Sequence, residues 1–271
     1  MAQHKAAWFE AQYNNRARVP DSVAILARWA EASALARARL RCELDIAYGH
    51  EPGETLDVFP ANAPTADAAD SATASANIAA GAPVLVFIHG GWWRALDKAD
   101  HSFVAPAFVQ AGAMVVVPNY ALCPAVGIED IALQTTRALA WVWRNAARFG
   151  GDPSRIFVVG HSAGGHLAAM LLTCRWPTVA PDLPARLLAG AMAVSGVFDL
   201  LPIRQTPFLQ ADLQLTSAAV RCLSPAYFAR PRGPLVALVG ADESDEHQRQ
   251  NQLSAPSGVP PPYRCARPCR A

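Results

Sequence analysis

The sequence predicts an α/β fold in which helices cover both faces of a doubly wound, mostly parallel sheet. Strands are predicted by four short apolar runs rich in β-branched residues: 84–88, 114–117, 156–159 and 235–239. These runs lack polar alternation, which is typical of parallel strands buried on both faces. Helical periodicity occupies three intervening stretches: about 100–112, 128–149 and 163–174. Alternation of strand and helix along the chain favours a parallel sheet.

The composition fits one large domain of this class. The chain has 271 residues, of which 52% are apolar and 17% are charged, and its formal net charge is +1. So many apolar residues exclude a disordered chain, and so small a charge argues against a nucleic-acid partner bound through bulk electrostatics. We find no targeting segment and no apolar stretch of about 18 residues. We therefore expect a cytoplasmic protein that does not span a membrane.

The part of the chain before the first apolar run predicts helix and then an antiparallel pair of strands. Pro20-Asp21-Ser22 resembles a helix cap, and residues 1–40 are expected to be helical. Alternation over 44–48 and a returning run at 55–59 predict the two strands. Residues 60–82 show little periodicity, and we expect them to form a surface loop within the same domain.

The motif Gly160-His161-Ser162-Ala163-Gly164 follows the run 156–159 and opens an apolar helix. In this strand–turn–helix context, G-x-S-x-G holds a serine on a sharp turn, so the residues two before and two after it must be small. The serine oxygen is then presented at the end of the sheet, beside the N-terminal N–H groups of the helix. Ser162 is therefore the predicted nucleophile of a serine hydrolase.

A second motif, His89-Gly90-Gly91-Trp92-Trp93, directly follows the run 84–88. Glycines there let the backbone bend and bring N–H groups towards a reacting carbonyl oxygen, as in the oxyanion loops of lipases and esterases. We predict that the N–H groups of Gly91, Trp92 and Ala163 form the oxyanion hole. His89 is expected to fasten the loop through hydrogen bonds, because triads that accompany G-x-S-x-G run in the order Ser, acid, His.

A third element of the site is a carboxylate on the turn after the next-to-last strand, where it would orient a histidine. Asp242 and Glu243 both follow the run 235–239, and their positions leave the choice open. Trp92, Trp93 and Phe198 are candidates for the wall of a substrate pocket. The chain carries no zinc spacing, Walker loop or dinucleotide fingerprint, so we expect neither a metal nor a cofactor.

These motifs resemble those of the α/β-hydrolase-fold arylformamidases (kynurenine formamidases) and closely related bacterial esterases. The resemblance covers roughly residues 8–252 and rests on five segments: Tyr13-Asn14-Asn15-Arg16, HGGWW at 89–93, GHSAGGHLAA at 160–169, SGVFDL at 195–200 and ESDEHQRQ at 243–250. It implies the α/β-hydrolase fold and a serine hydrolase of small carboxylic esters or aryl formamides that works through an acyl-enzyme. The family's acid precedes a Ser-x-Glu-x-x-Arg-Gln pattern, which implies Glu243, with Asp242 as the alternative. If the chain associates with itself, we expect a homodimer.

A general-base histidine is not found where the resemblance requires one. Of the seven histidines, only His247 follows the acid. We expect His247 to be a surface residue of a short helix that does not reach Ser162. His161 and His166 flank the nucleophile. We expect neither of them to act as the base, and His166 is expected to pack or to line the pocket floor.

Residues 253–271 are rich in Pro, Arg and Cys and show no strand or helix pattern. The resemblance requires a last strand, a histidine loop and a closing helix in this part of the chain. We therefore expect a hydrolase domain over 1–252, followed by an irregular tail that is not native family sequence. A frameshift near codon 253 is the hypothesis, and a deliberate Pro-rich tail is the alternative. The expected result is an impaired enzyme, a non-catalytic binder of small ligands or partners, or a misfolded truncation product.

Overall fold

The structure is a computed structural model that describes residues 2–61, 81–229 and 233–254. Within these ranges, seven strands form one sheet: β1 (Glu43–Ala47), β2 (Thr55–Phe59), β3 (Ala82–Ile88), β4 (Met114–Pro118), β5 (Gly151–His161), β6 (Leu188–Val194) and β7 (Leu235–Leu238). Their order across the sheet is β1-β2-β4-β3-β5-β6-β7. β2 pairs antiparallel with β1 and β4, and every other pair is parallel. The predicted fold class and the N-terminal antiparallel pair are confirmed.

Helices precede, connect and follow the strands. The α-helices are α1 (Ala2–Tyr13), α2 (Asn15–Arg18), α3 (Ser22–Arg39), α4 (Ala105–Gln110), α5 (Ile128–Asn145), α6 (Ala163–Leu172), α7 (Trp176–Val179), α8 (Leu201–Arg204), α9 (Pro207–Leu213), α10 (Ser217–Leu223) and α11 (Asp245–Leu253). Short 3-10 helices occupy Lys98–Asp100, Ser102–Val104, Ala146–Phe149 and Pro225–Tyr227. Within the ranges given, no helix combines the length and the apolar character needed to cross a membrane.

The centre of the core lies where β3, β4 and β5 run side by side. Val86 is in register with Val116 on one side and with Val158 on the other, and all three are fully buried. α6 packs on β3, β5 and β6, and every one of its residues is buried. The turn that leads from β5 into α6 is therefore held between the sheet and a fully enclosed helix.

The β5–β7 side of the sheet differs from the prediction. The runs 156–159 and 235–239 were expected to be buried on both faces. In the structure the first run contains the exposed Phe157 between buried residues, and the second alternates partly buried and exposed positions. The side chains of Phe157, Val236 and Leu238 are between 41% and 48% exposed. β7 is an edge strand that pairs only with β6 within the described ranges.

Two sequence predictions fall largely outside the described residues. The expected loop 60–82 is described only at its ends, and β3 already begins at Ala82. Of the expected tail 253–271, the structure describes Leu253, which is the last residue of α11, and Ser254. The missing last strand and histidine loop therefore remain predictions. β6, for which the sequence predicted no element, pairs along its length between β5 and β7.

Candidate active site

Ser162 lies on the turn between β5 and α6, where its backbone has φ 55° and ψ −115°. A positive φ is unfavourable for a residue with a side chain and persists only where the surroundings enforce it. Here the Ser162 N–H donates to the carbonyl of Val194 at 2.8 Å, which ties the turn to the end of β6. The Ser162 Oγ has no hydrogen-bond partner among the described residues, and the residue is 7% exposed.

The glycines on either side of Ser162 leave no room for a side chain. A Cβ on Gly160 would lie 2.0 Å from the carbonyl oxygen of Gly164. A Cβ on Gly164 would lie 2.0 Å from the carbonyl oxygen of Ile88, at the end of β3. These contacts are far inside van der Waals distance, so the turn can pack against β3 only if both positions are glycine.

The segment 89–93 passes directly over this turn. A Cβ on Gly90 would lie 3.1 Å from the Cβ of Ser162. Gly91 has φ 107°, and Trp92 and Trp93 have φ 52° and 55°. A Cβ on Gly91 would also lie 2.0 Å from the carbonyl oxygen of Ala95. The structure thus brings the two predicted motifs together, with three successive residues of the loop at positive φ.

Several backbone N–H groups around Ser162 are free to bind a ligand. The N–H groups of Gly91, Trp92 and Ala163 have no acceptor within the part of the chain that the structure describes. Ala163 is the first residue of α6, whose N-terminal N–H groups carry the positive end of the helix dipole. Donors of this kind favour an oxygen that gains negative charge.

His89 is buried and fastened at the base of the loop. Its Nδ1 lies 2.8 Å from the carbonyl oxygen of Gly90, and its Nε2 lies 3.1 Å from Oδ1 of Asn119. The ring stacks on Tyr120 with 4.2 Å between centroids. Burial lowers the pKa of His89 to about 4, so the imidazole is neutral at pH 7. These contacts fit the loop-fastening role predicted for it.

The two candidate carboxylates differ in their contacts. Oε1 of Glu243 accepts hydrogen bonds from the Ser195 hydroxyl at 2.5 Å and from the Gly240 N–H at 2.9 Å. Asp242 is exposed and makes no hydrogen bond or ion pair with any residue of the described ranges. The contacts favour Glu243 as the carboxylate that the fold positions.

The prediction that His247 is a surface residue is wrong. Its side chain is almost fully buried, at 1% exposure, because α11 packs against α1. Its Nδ1 lies 2.9 Å from the Ser244 Oγ, and its ring contacts Tyr13 and Trp92, with centroid distances of 5.6 and 6.2 Å. Burial lowers the pKa of His247, which favours the neutral imidazole. α11 is so polar that hydrophobic periodicity does not reveal its buried face.

The side chains of the histidines next to Ser162 make no hydrogen bond to it within the described ranges. His166 is fully buried, with Nε2 2.6 Å from the carbonyl oxygen of Leu223 and its ring against Trp93. His161 packs edge-on against Trp29. Burial lowers the pKa of both His161 and His166 to about 4. No histidine side chain of the described residues is hydrogen-bonded to Ser162 or Glu243, so the base expected from the family pattern is not among these contacts.

Of the three aromatic residues predicted to line a pocket, only Trp92 is partly accessible. Trp93 is fully buried in the main core, and Phe198 is buried against Ala169 and Ala193. The pocket prediction is therefore wrong for Trp93 and Phe198, because both side chains pack inside the hydrophobic core. Among the side chains that the structure describes, none form a cluster of three or more His, Cys, Asp or Glu that could hold a metal ion.

A polar network that the sequence prediction missed joins α1 to α11 beside Trp92. The Tyr13 hydroxyl donates to Oε2 of Glu246 at 2.6 Å and accepts from the Gln250 amide at 3.0 Å. Oε1 of Gln250 accepts the N–H groups of Phe198 and Asp199. Only the resemblance of the segment around Tyr13 hinted at a role for this residue.

Known proteins are similar to this chain in both sequence and architecture. A family model described as BD-FAE matches residues 73–181. The kynurenine formamidase of Salmo salar is 29% identical over 230 residues, which cover 82% of this chain and 70% of that protein. The carboxylesterase NlhH of Mycobacterium tuberculosis is 42% identical over 111 residues, or 39% of this chain and 34% of that protein.

Solved structures extend the similarity to most of the fold. A protein provisionally described as a thioesterase, from Silicibacter sp. TM1040, superimposes with a TM-score of 0.74 at 26% identity, covering 90% of this chain and 85% of that one. Esterase B from Lactobacillus rhamnosis, at 20% identity, has a TM-score of 0.63 over 86% of this chain and 79% of its own, and it shows the shared fold. The chain thus has the α/β-hydrolase fold and is similar in sequence and architecture to arylformamidases and esterases, which supports a hydrolase by family.

Proposed function

We propose that this hydrolase cleaves small carboxylic esters or aryl formamides through a covalent acyl-enzyme on Ser162. One observation carries the proposal. The unpartnered Ser162 Oγ sits on a positive-φ turn beneath a loop whose N–H groups at Gly91 and Trp92, with that of Ala163, have no acceptor among the described residues. A nucleophile beside preorganised N–H donors is the arrangement that acyl transfer needs.

The proposed reaction proceeds in two displacements. Ser162 Oγ gives up its proton to solvent water and bonds to the substrate carbonyl carbon, while the carbonyl π electrons move onto the carbonyl oxygen, where the three N–H groups stabilise the charge. The tetrahedral intermediate then expels the alcohol or amine, which takes up a proton, and leaves an ester on Ser162. Water attacks this ester in the same manner and releases the acid and the free serine.

Glu243 is the proposed triad acid. Ser195 and Gly240 fix its Oε1, while its Oε2 accepts no hydrogen bond from any residue in the described ranges. A carboxylate held by one oxygen is suited to orient an imidazole with the other. Asp242 remains the alternative, without a contact that positions it.

The proposal predicts weak turnover for this chain as it stands. Removing a triad base typically lowers turnover by about 10⁶-fold and leaves about 10³–10⁴-fold over water from the oxyanion hole and binding. No described histidine bonds to Ser162, which agrees with the hypothesis that a frameshift near codon 253 replaced the base. Resequencing the 3′ end of the gene tests that hypothesis, and an intact reading frame in independent clones would contradict it.

The substrate class follows from the chemistry and the relatives. Relatives named as a formamidase and as carboxylesterases both act on acyl groups, so a small ester or formamide is the proposed substrate. Trp92 is the partly exposed aromatic residue next to the nucleophile, and its indole could contact an aryl leaving group. The experiment compares kcat/KM for N-formylkynurenine with kcat/KM for short aryl esters, on a chain with the family's C-terminal histidine restored. The ratio shows whether the enzyme prefers formamides or esters.

A serine-directed fluorophosphonate tests the nucleophile directly. The reagent forms a phosphorus–oxygen bond to the serine and expels fluoride. We expect slow, stoichiometric labelling of the wild type, detected by mass spectrometry, and none of Ser162→Ala. Ser217→Ala, which removes an exposed serine on α10, serves as the matched control. Fast labelling would show that one of the histidines without a hydrogen bond to Ser162 acts as the base. An unlabelled wild type would favour the alternative function, a non-catalytic binder of small ligands or partners.

A further inference from the structure

We propose that Tyr13 and His247 are positioning residues that hold Trp92, and with it one N–H donor, in place above Ser162. The inference rests on the proposed function, since it takes the Trp92 N–H as part of the oxyanion hole. It assigns a role in the site to α1 and α11, which contribute no atom to the acyl-transfer chemistry itself.

The three rings form a closed cluster in which each contacts the other two. Tyr13 meets Trp92 edge to face at 5.7 Å and an interplanar angle of 90°. His247 meets Tyr13 at 5.6 Å and Trp92 at 6.2 Å, also edge to face. Such edge-to-face contacts favour a defined relative orientation of the rings. The indole of Trp92 is therefore held from two sides.

Trp92 needs such support because its backbone conformation is unfavourable. Its φ of 52° lies in the left-handed region, which a bulky residue adopts only when its surroundings enforce it. The peptide unit that carries its N–H is held on the other side by one hydrogen bond, in which the Gly91 carbonyl oxygen accepts the Arg94 N–H at 3.1 Å. Packing of the indole adds support from the side chain to this single backbone hydrogen bond.

Both supporting rings are anchored at their far ends. The Tyr13 hydroxyl is held by Glu246 and Gln250, at 2.6 and 3.0 Å, and His247 Nδ1 lies 2.9 Å from the Ser244 hydroxyl. Burial raises the pKa of Tyr13 and lowers the pKa of His247, so both rings stay neutral at pH 7. Because the rings of Tyr13 and His247 are neutral and hydrogen-bonded at their far ends, they pack against the Trp92 indole without placing a charged ring in the interior.

The test compares variants that remove a ring with variants that keep one. Tyr13→Leu and His247→Ala remove the support, while Tyr13→Phe and His247→Phe retain an aromatic ring. Phe9→Leu is the matched control, because Phe9 is a buried α1 residue that stacks on Tyr13 and has no ring contact with Trp92. The readouts are the rate of fluorophosphonate labelling, kcat and KM for an activated aryl ester, and Tm.

We expect the ring-removing variants to label about 10- to 100-fold more slowly and to lose kcat in parallel, since small displacements of a catalytic group have effects of this size. KM for the aryl ester should rise as well, because the Trp92 indole is also the proposed contact of the aryl group, so the labelling rate is the readout that decides. The ring-keeping variants should recover most of the labelling rate. Phe9→Leu should lower Tm without slowing labelling, as a purely structural role would.

Other outcomes overturn the inference. Wild-type labelling rates in folded ring-removing variants would show that Trp92 needs no support, while the Ser162 proposal would stand. Loss of labelling in His247→Phe alone would show that the imidazole itself is required and that His247 acts chemically. If Tyr13→Leu does not fold, the His247 pair decides. If the wild type is not labelled at Ser162, the inference fails together with the proposed function.

Discussion

The hydroxyl of Ser195 donates a hydrogen bond of 2.5 Å to Oε1 of Glu243 and so joins the end of β6 to the turn after β7. Ser195 has φ 51°, and its N–H donates to the carbonyl oxygen of Leu238 at 2.7 Å. The same carboxylate oxygen also accepts the Gly240 N–H. The proposed acid is thus fixed by the neighbouring strand, and its position depends on a residue that a motif search for triads does not select.

Replacing Ser195 should loosen Glu243. We expect Ser195→Ala to lower the free energy of unfolding by about 1 kcal/mol, since it removes one hydrogen bond to a partly exposed carboxylate. A double-mutant cycle with Glu243→Gln in urea denaturation measures the coupling between the two residues. Asp242→Asn, at the exposed neighbouring carboxylate, is the control and should not couple. A coupling energy near zero for the Ser195–Glu243 pair would contradict the prediction.

The glycines that frame Ser162 should tolerate no substitution. Gly160→Ala and Gly164→Ala each place a Cβ 2.0 Å from a backbone oxygen, so we expect a loss of about 3 kcal/mol or more, or no soluble protein. Gly127→Ala is the control, because its Cβ would meet its nearest atom at 3.5 Å. Chemical denaturation monitored by tryptophan fluorescence would compare the three variants. Near-wild-type stability of Gly160→Ala would show that the turn relaxes more easily than its geometry implies.

The buried cation Lys98 should be indispensable for stability. Its Nζ lies 2.6 Å from Oδ1 of Asp57, which is fully buried, and 2.6 Å from Oδ1 of Asp45, whose side chain is 66% exposed. Lys98→Met leaves the Asp57 carboxylate buried without its main counter-charge, and such a change costs about 3–5 kcal/mol. Asp45→Asn removes only the exposed partner and should cost less than about 1 kcal/mol. Equal losses in a thermal denaturation experiment would argue that the two carboxylates share the cation evenly.

Stability should fall as the pH drops from about 6.5 towards 4. Burial lowers the pKa of His166 from the ordinary 6.5 to about 4, as it does for His89 and His161. Between these values the unfolded chain binds protons that the native protein excludes, so unfolding becomes easier at lower pH. His166→Gln, whose amide can still donate to Leu223, should reduce the dependence of unfolding free energy on pH. An unchanged pH dependence in that variant would show that His166 is not excluded from protonation in the native state.

The sequence was sufficient to predict the elements whose local pattern and tertiary environment agree. The apolar run at Val84–Ile88 has strand propensity and lies in the middle of the sheet, and the Ser162 motif carries glycines at the two positions where the turn has no room for a side chain. β6 escaped prediction because Leu188–Val194 is composed largely of small residues with weak β preference, and pairing with β5 and β7 decides its conformation.

The buried face of α11 escaped prediction for a different reason. Glu246, His247 and Gln250 face the interior, yet all three are polar. They form hydrogen bonds with Tyr13, Ser244 and the backbone near Phe198, although His247 Nε2 is buried without a partner among the described residues. Hydrophobic periodicity cannot detect a buried face whose stability comes from hydrogen bonds between distant segments. For the same reason the aromatic support of Trp92 became visible only once α1 and α11 were seen side by side.

The hydrogen bond between Tyr13 and Glu246 joins positions 233 residues apart in the chain. During synthesis α1 emerges early, but the partner that fixes its aromatic ring leaves the ribosome only after the seven described strands have been made. Contacts of such long range form late, because the intervening chain must first be ordered. On our proposal the Ser162 turn would therefore be assembled before Trp92 is held, so that the Trp92 N–H donor would be fixed in one of the last events of folding.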